Sequence, residues 1–191
     1  MDDSKRILNI MKRIITSCLL VVLTSLVLLS SGCGANLVGL NETAKSDDDL
    51  ADEIIELIVE AIEAKDADTL FSMFSVESLD EMDMELLHER AEELFSVWSG
   101  NLVEHDGELS TSKETKNGNI IRKITGFYDI ETTENICHLL FVSTVQDDGN
   151  ENAEGLSQIV YVTDELFQSE DFYWQYGNRE PGIYIDTKKS E

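Results

Sequence analysis

The chain has 191 residues, of which 39 are acidic and 14 are basic, so its formal net charge is −25. This length suits one domain with a sizeable buried core. Binding of nucleic acid requires Lys and Arg side chains that neutralise phosphates, so a surface this acidic excludes a nucleic-acid partner. The same charge is typical of a soluble domain or of one that attracts cationic partners.

The first part of the chain has the order of a bacterial lipoprotein signal. Basic residues near the start precede an uncharged apolar run, Ile14–Gly32, and the small residues Ser30-Ser31-Gly32 stand directly before Cys33. This order predicts cleavage before Cys33 and attachment of palmitate or similar acyl chains there, because two or more chains hold a protein stably at a bilayer. The sequence therefore predicts a lipid-anchored protein on the extracytoplasmic face of the cell membrane.

One position departs from the lipoprotein pattern, because Ser30 stands where leucine is usual. The alternative is an uncleaved transmembrane anchor, since the apolar run is about long enough to cross a bilayer. In both interpretations the basic start stays inside and the folded domain lies outside. The chain then divides into a signal peptide, residues 1–32, a lipidated cysteine with a flexible tether, residues 33–45, and a single domain, residues 46–191.

Cysteine usage predicts a mature domain without an internal disulfide. Cys18 leaves with the signal and Cys33 is the anchor, so Cys137 is the cysteine that remains. Cys137 lies in the apolar run Ile136–Val145, where a buried, inert thiol is expected rather than a nucleophile.

Helix start signals crowd into the part of the chain that follows the tether. Ser46 with Asp49 forms a capping-box pattern, and Asp66 suits the cap of a short second helix. Ser78 with Glu81 forms another such pattern and predicts the start of a third helix. Apolar residues recur with helical spacing in the first and third of these segments, so each helix buries one face.

The second half of the chain is predicted to form strands. Asn117-Gly118 is its strongest hairpin signal. Four runs carry the strand pattern: Leu102–Thr111, Ile120–Ile130, Ile136–Val145 and Leu156–Thr163. Helices first and strands afterwards predict an α+β fold, with N-terminal helices packed on a curved antiparallel four-stranded sheet.

Two stretches of the sequence resemble known families. The helical opening ADEIIELIVEAIEAKDADTLFSMFS (residues 51–75), a longer helix and four strands resemble the nuclear transport factor two-like, cystatin-like cone. That opening, the lipidated cysteine and the ending FYWQYGNREPGIYI (residues 172–185) are similar to an uncharacterised family of Gram-positive lipoproteins. The resemblance covers about residues 47–186. It implies a fold and a cell-envelope location, and it implies no reaction, since such folds host enzymes and binding modules alike.

Two segments of the sequence match metal-binding motifs only in part. His88-Glu89-Arg90-Ala91-Glu92 lacks the second histidine that a zinc protease helix needs. Asp148, Asn150 and Asn152 have the spacing of a calcium loop, but Ala153 stands where that loop needs glycine. No metal or other cofactor is predicted.

Four side chains have the right chemistry for a proton-transfer pair of the kind that cone enzymes use: His105, Tyr128, Asp129 and His138. Their spacing does not show that they converge, because alternate residues of a strand face opposite sides. His138 shares a strand face with apolar residues, so it either lines a pocket or is a hydrogen-bonded core residue, and the core interpretation is preferred. No catalytic residue is therefore predicted.

Aromatic residues supply the candidate ligand contacts. Trp98 and Tyr128 are predicted to be ligand-binding if the domain has a pocket. The aromatic run Phe172–Tyr176 predicts either a carbohydrate or peptide platform or, preferably, a tail that packs over the fold and closes an edge. Pro181 agrees with the second interpretation, since proline tolerates edge and turn positions.

These observations favour a non-enzymatic binding module held at the membrane, with an unknown small ligand or an envelope protein as its partner. One alternative is a cone-fold enzyme that uses a His or Asp general base on a small substrate. The other is a structural role, such as dimerisation through the sheet.

Overall fold

The computed structural model describes residues 45–177 and 179–187, all within one compact unit. Four helices come first in this part of the chain: α1 (Asp47–Ala64), α2 (Ala67–Ser72), α3 (Val76–Glu81) and α4 (Met84–Val97). Five strands and one short helix follow: β1 (Leu102–Lys116), β2 (Asn119–Thr132), β3 (Ile136–Asp147), β4 (Gly155–Thr163), α5 (Asp164–Phe167) and β5 (Gly182–Asp186). A 3₁₀ turn, Glu151–Ala153, lies between β3 and β4.

The predicted start of the first helix is confirmed. The Ser46 hydroxyl accepts a hydrogen bond from the Asp49 backbone N–H at 3.1 Å, and the Asp49 carboxylate accepts one from the Ser46 N–H at 3.2 Å. This reciprocal pair satisfies two backbone donors that a helix start leaves without partners. Asp66 likewise caps α2, because its carboxylate accepts from the Thr69 N–H at 3.0 Å.

The predicted start of the third helix is wrong. Ser78 lies inside the short helix α3, which Ser75 caps, and its hydroxyl accepts a hydrogen bond from Ser75 at 2.7 Å. The chain is extended at Met82, with ψ 146°, so the helix breaks there. A separate helix, α4, begins after Asp83, whose carboxylate accepts a hydrogen bond from the Glu85 N–H at 2.9 Å.

The expectation of a four-stranded antiparallel cone sheet is wrong. The sheet has five strands in the order β1-β2-β3-β4-β5, and it is mixed, because β5 runs parallel to β4 from the pair Gln158 and Gly182 to the pair Val162 and Asp186. The other neighbours are antiparallel. A parallel neighbour needs a long crossover, and the segment between β4 and β5 provides it.

The predicted hairpin between β1 and β2 is confirmed. Asn117 and Gly118 have φ values of 55° and 88°, as a two-residue hairpin turn requires. The turn brings Lys116 opposite Asn119 and fixes the register of both strands.

The sheet has two differently covered faces. The inner face packs against α1 and α4 and holds the main core, including Ile58, Phe141 and Tyr161. The outer face holds a smaller cluster around Leu140 and Val160, and aromatic side chains from the crossover segment cover it. We call residues 164–177 the strap. The packing that was preferred for the aromatic run is thereby confirmed, since Phe172, Trp174 and Tyr176 pack on this cluster, whereas β5 and not this run forms the edge of the sheet beside β4.

Candidate functional site

Carboxylates gather on the outer face where β1 and β2 run side by side. Asp106 stands opposite Asp129, and Glu104 stands opposite Glu131. Directly opposed residues share a face of the sheet, so these side chains all point away from the helices. β1 and β2 therefore present an acidic surface at one end of the outer face.

The strap places aromatic rings beside this acidic surface. The ring of Trp174 lies 5.8 Å from that of Phe127 on β2, and 6.0 Å from that of Phe167 in α5. Phe127 also meets Tyr176, edge to face, at 5.6 Å. Such tilted contacts between rings are favourable and hold the rings in place.

Two neighbouring clefts are lined by these carboxylates and rings. The larger, which we call the aromatic cleft, has a volume of about 610 Å³, and its lining includes Asp106, Asp129, Phe127, Phe167 and Trp174. Among the described residues that line it, none is Lys or Arg. The smaller, the histidine cleft, has a volume of about 280 Å³ and shares Asp106, Asp129 and Phe167 with the first.

His138 lies at the base of the histidine cleft and ties three elements together. Its Nδ1 lies 2.7 Å from a carboxylate oxygen of Asp129 on β2, and its Nε2 lies 3.2 Å from one of Asp164 in α5. The ring of Phe167 stacks on the imidazole, with 3.7 Å between centroids and 15° between planes. The residue is only 2% exposed. His138 thus fastens the start of the strap to the sheet.

The two carboxylates determine what His138 can do chemically. A carboxylate oxygen lies within hydrogen-bond distance of each imidazole nitrogen, so both ring nitrogens have partners within the fold. The hydrogen bond from His138 lowers the pKa of Asp164 below its ordinary value of 3.8. With both nitrogens engaged and the ring buried, His138 has no free lone pair for a substrate.

The second candidate pair lies on the inner face. His105 and Tyr128 meet edge to face at 5.6 Å, and the Tyr128 hydroxyl donates to Asp52 of α1 at 2.8 Å. Burial raises the pKa of Tyr128. A pocket of about 190 Å³ lies beside them. The four predicted proton-transfer candidates therefore form two separate pairs on opposite faces.

The predicted ligand and anchor residues fall in different places. Tyr128 borders both the aromatic cleft and the inner pocket, with the residue itself only 4% exposed. Trp98 ends α4 and packs on the main core, away from the clefts described above, with its indole N–H buried and unpaired among the described residues. Cys33 lies outside the described residues, so its lipidation stays a prediction.

The sequence analysis missed the partners of the site. Asp106 and Phe127 lie in strands that it predicted. Phe127 shares a face with Asp129 by strand alternation, but only the strand register shows that Asp106 faces the same way. Asp164 and Phe167 follow Thr163, where the predicted fourth strand ends. An N-cap threonine followed by two acidic residues is a helix start signal that could have located α5.

Two other predictions concern single residues and a loop. Cys137 is 1% exposed, and burial raises its pKa to about 12, which agrees with the predicted inert thiol. In the calcium-like loop, Asp148 accepts hydrogen bonds from Gln146 and from the Ile120 N–H, so it braces the end of the sheet. In the described residues no group of His, Cys, Asp and Glu is placed to hold a metal ion.

A protein-family model matches residues 42–164, and its description is a domain of unknown function, DUF5104. The chain belongs to this family. The predicted membership of an uncharacterised family is confirmed to that extent. The matched residues include β1 to β4 with Asp106, Asp129 and His138, and they end at Asp164, before Phe167, Trp174 and β5.

Comparison with the curated proteins gave no match. Comparison with the solved structures gave none either. Within the described part of the chain, no helix has both the length and the apolar character needed to cross a bilayer.

Proposed function

We propose that this member of the DUF5104 family is a lipid-anchored protein on the extracytoplasmic face of the cell membrane, and that its folded domain is a non-enzymatic binding module. The order of basic residues, apolar run and small residues before Cys33 supports the anchor. The net charge of −25 supports partners other than nucleic acid or anionic headgroups. The lipid therefore holds the domain near a surface that its charge repels.

Replacing Cys33 with serine tests the anchor. We expect Cys33→Ser to abolish incorporation of radiolabelled palmitate and to release the protein from the membrane fraction, because the acyl chains then have no sulfur to join. Cys18→Ser is the matched control, since Cys18 lies within the predicted signal and should leave labelling unchanged. Equal labelling of both variants would contradict the lipid anchor.

The aromatic cleft is the single observation that carries the binding function. Its lining combines the carboxylates of Asp106 and Asp129 with the rings of Phe127, Phe167 and Trp174. An aromatic face attracts cations, and it also buries the apolar groups that an organic cation carries. We infer that the cleft binds an organic cation, such as an amine with apolar substituents or the basic side chain of a peptide.

Calorimetric titration of the full chain in detergent tests this ligand class. Tetramethylammonium should bind, and tert-butanol, its neutral counterpart of similar shape, should bind several-fold more weakly. Asp106→Asn should weaken binding of the cation by about fivefold, because one exposed charge contributes about 1 kcal/mol. Asp80→Asn, which removes an exposed carboxylate of α3 far along the chain from the cleft, is the matched control.

The results separate the parts of this proposal. Equal binding of the cation and the alcohol would contradict the cationic ligand. Equal effects of Asp106→Asn and Asp80→Asn would contradict the aromatic cleft as the site. If neither the cation nor the alcohol gave a heat of binding, that result would contradict the binding function itself.

The alternative function, an enzyme with a His or Asp base, has one observation in its favour. Asp129 and His138 are hydrogen-bonded at 2.7 Å and border a cleft, as an acid–base pair does. Asp164 occupies the other ring nitrogen, however, and the imidazole is buried. The binding module is therefore the better-supported function.

A further inference from the structure

β1 is the outermost strand of the sheet, and its second edge is open. It pairs with β2 on one side, and no strand lies on the other side in the described part of the chain. From Ser110 to Lys116 every residue of β1 is exposed. An exposed strand edge presents unpaired N–H and C=O groups and is a template for another strand.

We propose that this edge pairs with the β1 edge of a second copy of the chain. The two strands run antiparallel about a two-fold axis, and Ser112 of each copy stands opposite its own counterpart. The pairing joins two five-stranded sheets into one continuous sheet. The occupant and the register both follow from the charges along the strand.

Symmetry limits which registers are allowed. In a two-fold pair of identical antiparallel strands, both copies must show each residue on the same face of the sheet. The axis must therefore pass through one residue and its own counterpart, and a register is defined by naming that residue.

Repulsion between like charges excludes all but one of the registers that pair more than the ends of the strands. The strand carries negative charge at Glu104, Asp106, Glu108 and Glu114, and positive charge at Lys113 and Lys116. Moving the axis one residue from Ser112 sets Glu108 against Glu114 in one direction and Lys113 against its own copy in the other. Moving the axis two or more residues from Ser112 in either direction sets two acidic residues opposite each other. The exceptions are registers in which only the ends of the two strands are paired. Directly opposed like charges are destabilising.

The register centred on Ser112 has the opposite property. It sets Glu108 of each copy against Lys116 of the other, so symmetry supplies two such ion pairs. The remaining opposed pairs contain at most one charge: Leu109 with Thr115, Ser110 with Glu114, and Thr111 with Lys113. Lysines on an edge strand commonly prevent pairing with other strands. In the register centred on Ser112, neither Lys113 nor Lys116 stands opposite another positive charge.

The proposed pairing joins two copies of the chain and leaves no β1 edge for a third. Each copy has one β1 edge, so the contact produces a dimer and not a fibre. The net charge of the domain opposes association, but at physiological ionic strength exposed charges more than about 8 Å apart are largely screened. The local charges at the paired strands therefore have the larger effect.

Cysteine cross-linking in membranes that contain the full chain tests the register. Ser112→Cys places a thiol opposite its own counterpart, where oxidation should join two copies in a covalent dimer. Ser110→Cys is the matched control, because it changes the same residue type on the same face of the same strand. In the proposed register the two copies of residue 110 lie about 14 Å apart along the strands, too far for a disulfide.

Charge reversal tests the basis of the pairing in the Ser112→Cys background. Glu108→Lys alone and Lys116→Glu alone should each remove most of the dimer band, because each opposes two like charges. The two reversals together should restore it. The parent chain without an added cysteine corrects for cross-links through its own thiols.

Several results would overturn the proposal. Equal cross-linking at positions 110 and 112, or none at either, would exclude the register. Unchanged yields in the single reversals, or failure of the double reversal to recover, would exclude the Glu108–Lys116 pairs as its basis.

Discussion

Replacing Gly155 with alanine is expected to destabilise the domain by about 3 kcal/mol or more. Gly155 begins β4 with φ 129°, a conformation that residues with a side chain rarely adopt. A Cβ there would lie 2.7 Å from the Ser75 nitrogen and 3.0 Å from the Met73 oxygen. Both are backbone atoms, so no side-chain rotation relieves the clash.

The clash falls where the helical and strand halves of the domain are joined. The Leu156 N–H donates to the Met73 oxygen at 2.8 Å, and the Ser75 N–H donates to the Leu156 oxygen at 3.0 Å. Moving this backbone apart to admit a methyl group breaks both bonds. Urea unfolding followed by circular dichroism measures the loss, and the melting temperature should fall by about 10 °C.

Gly118→Ala separates strain from clash. Gly118 also has a positive φ, 88°, but a Cβ there would meet nothing within 4 Å. Its substitution should cost only the backbone strain, about 1 kcal/mol. If both variants lost the same stability, the close approach of β4 to the Met73–Ser75 backbone would not be what requires glycine.

The features that the sequence predicted correctly are local ones. The Ser46–Asp49 capping box and the Asn117-Gly118 turn each depend on residues within a few positions of each other, and the structure has both. Their hydrogen bonds and backbone angles are properties of short segments. Local chemistry alone was not sufficient at Ser78, whose pattern matched a capping box. There Asp83 lies directly before the apolar helix and caps it instead.

The place and the direction of the fifth strand in the sheet could not be predicted from local pattern. β5 is short, and it joins the sheet parallel to β4 only because the strap crosses the outer face and returns the chain to the edge. That path depends on packing between residues distant in sequence, including Tyr184 and the cluster around Val160. Ile183, Tyr184 and Ile185 have high strand propensity, but propensity does not show which strand they join or in which direction.

Only part of the candidate site was predicted, because its contacts also join residues that are distant in sequence. Asp129 and His138 were chosen by residue type, and their contact depends on the register of β2 with β3, which sets them directly opposite each other. His105 and Tyr128 were chosen in the same way and face the opposite side. Asp164 joins the site from beyond the end of β4, so its role required the three-dimensional course of the chain.

Replacing His138 with alanine is expected to cost about 2–4 kcal/mol of stability. The substitution removes a buried ring that stacks on Phe167, and with it the bonds to Asp129 and Asp164. Two carboxylates that shared one imidazole then face each other without it. Their side chains are 68% and 44% exposed, so solvent screens much of that repulsion, and lost packing is the larger part. Trp174 fluorescence should also change, because Phe167 contacts its ring.

The dependence of this cost on pH distinguishes the hydrogen bond to Asp164 from packing alone. Because the bond from His138 lowers the pKa of Asp164 below 3.8, it stabilises the fold above pH 3.8, and that contribution is lost as the pH falls through the lowered value. Urea midpoints measured between about pH 5 and pH 2 should therefore fall more steeply in the parent chain than in His138→Ala. His88→Ala, which removes an exposed histidine of α4, should cost less than about 1 kcal/mol and keep the parent slope. Parallel acid profiles for the parent and His138→Ala would show that the bond to Asp164 contributes nothing, and that the strap is held by its aromatic contacts alone.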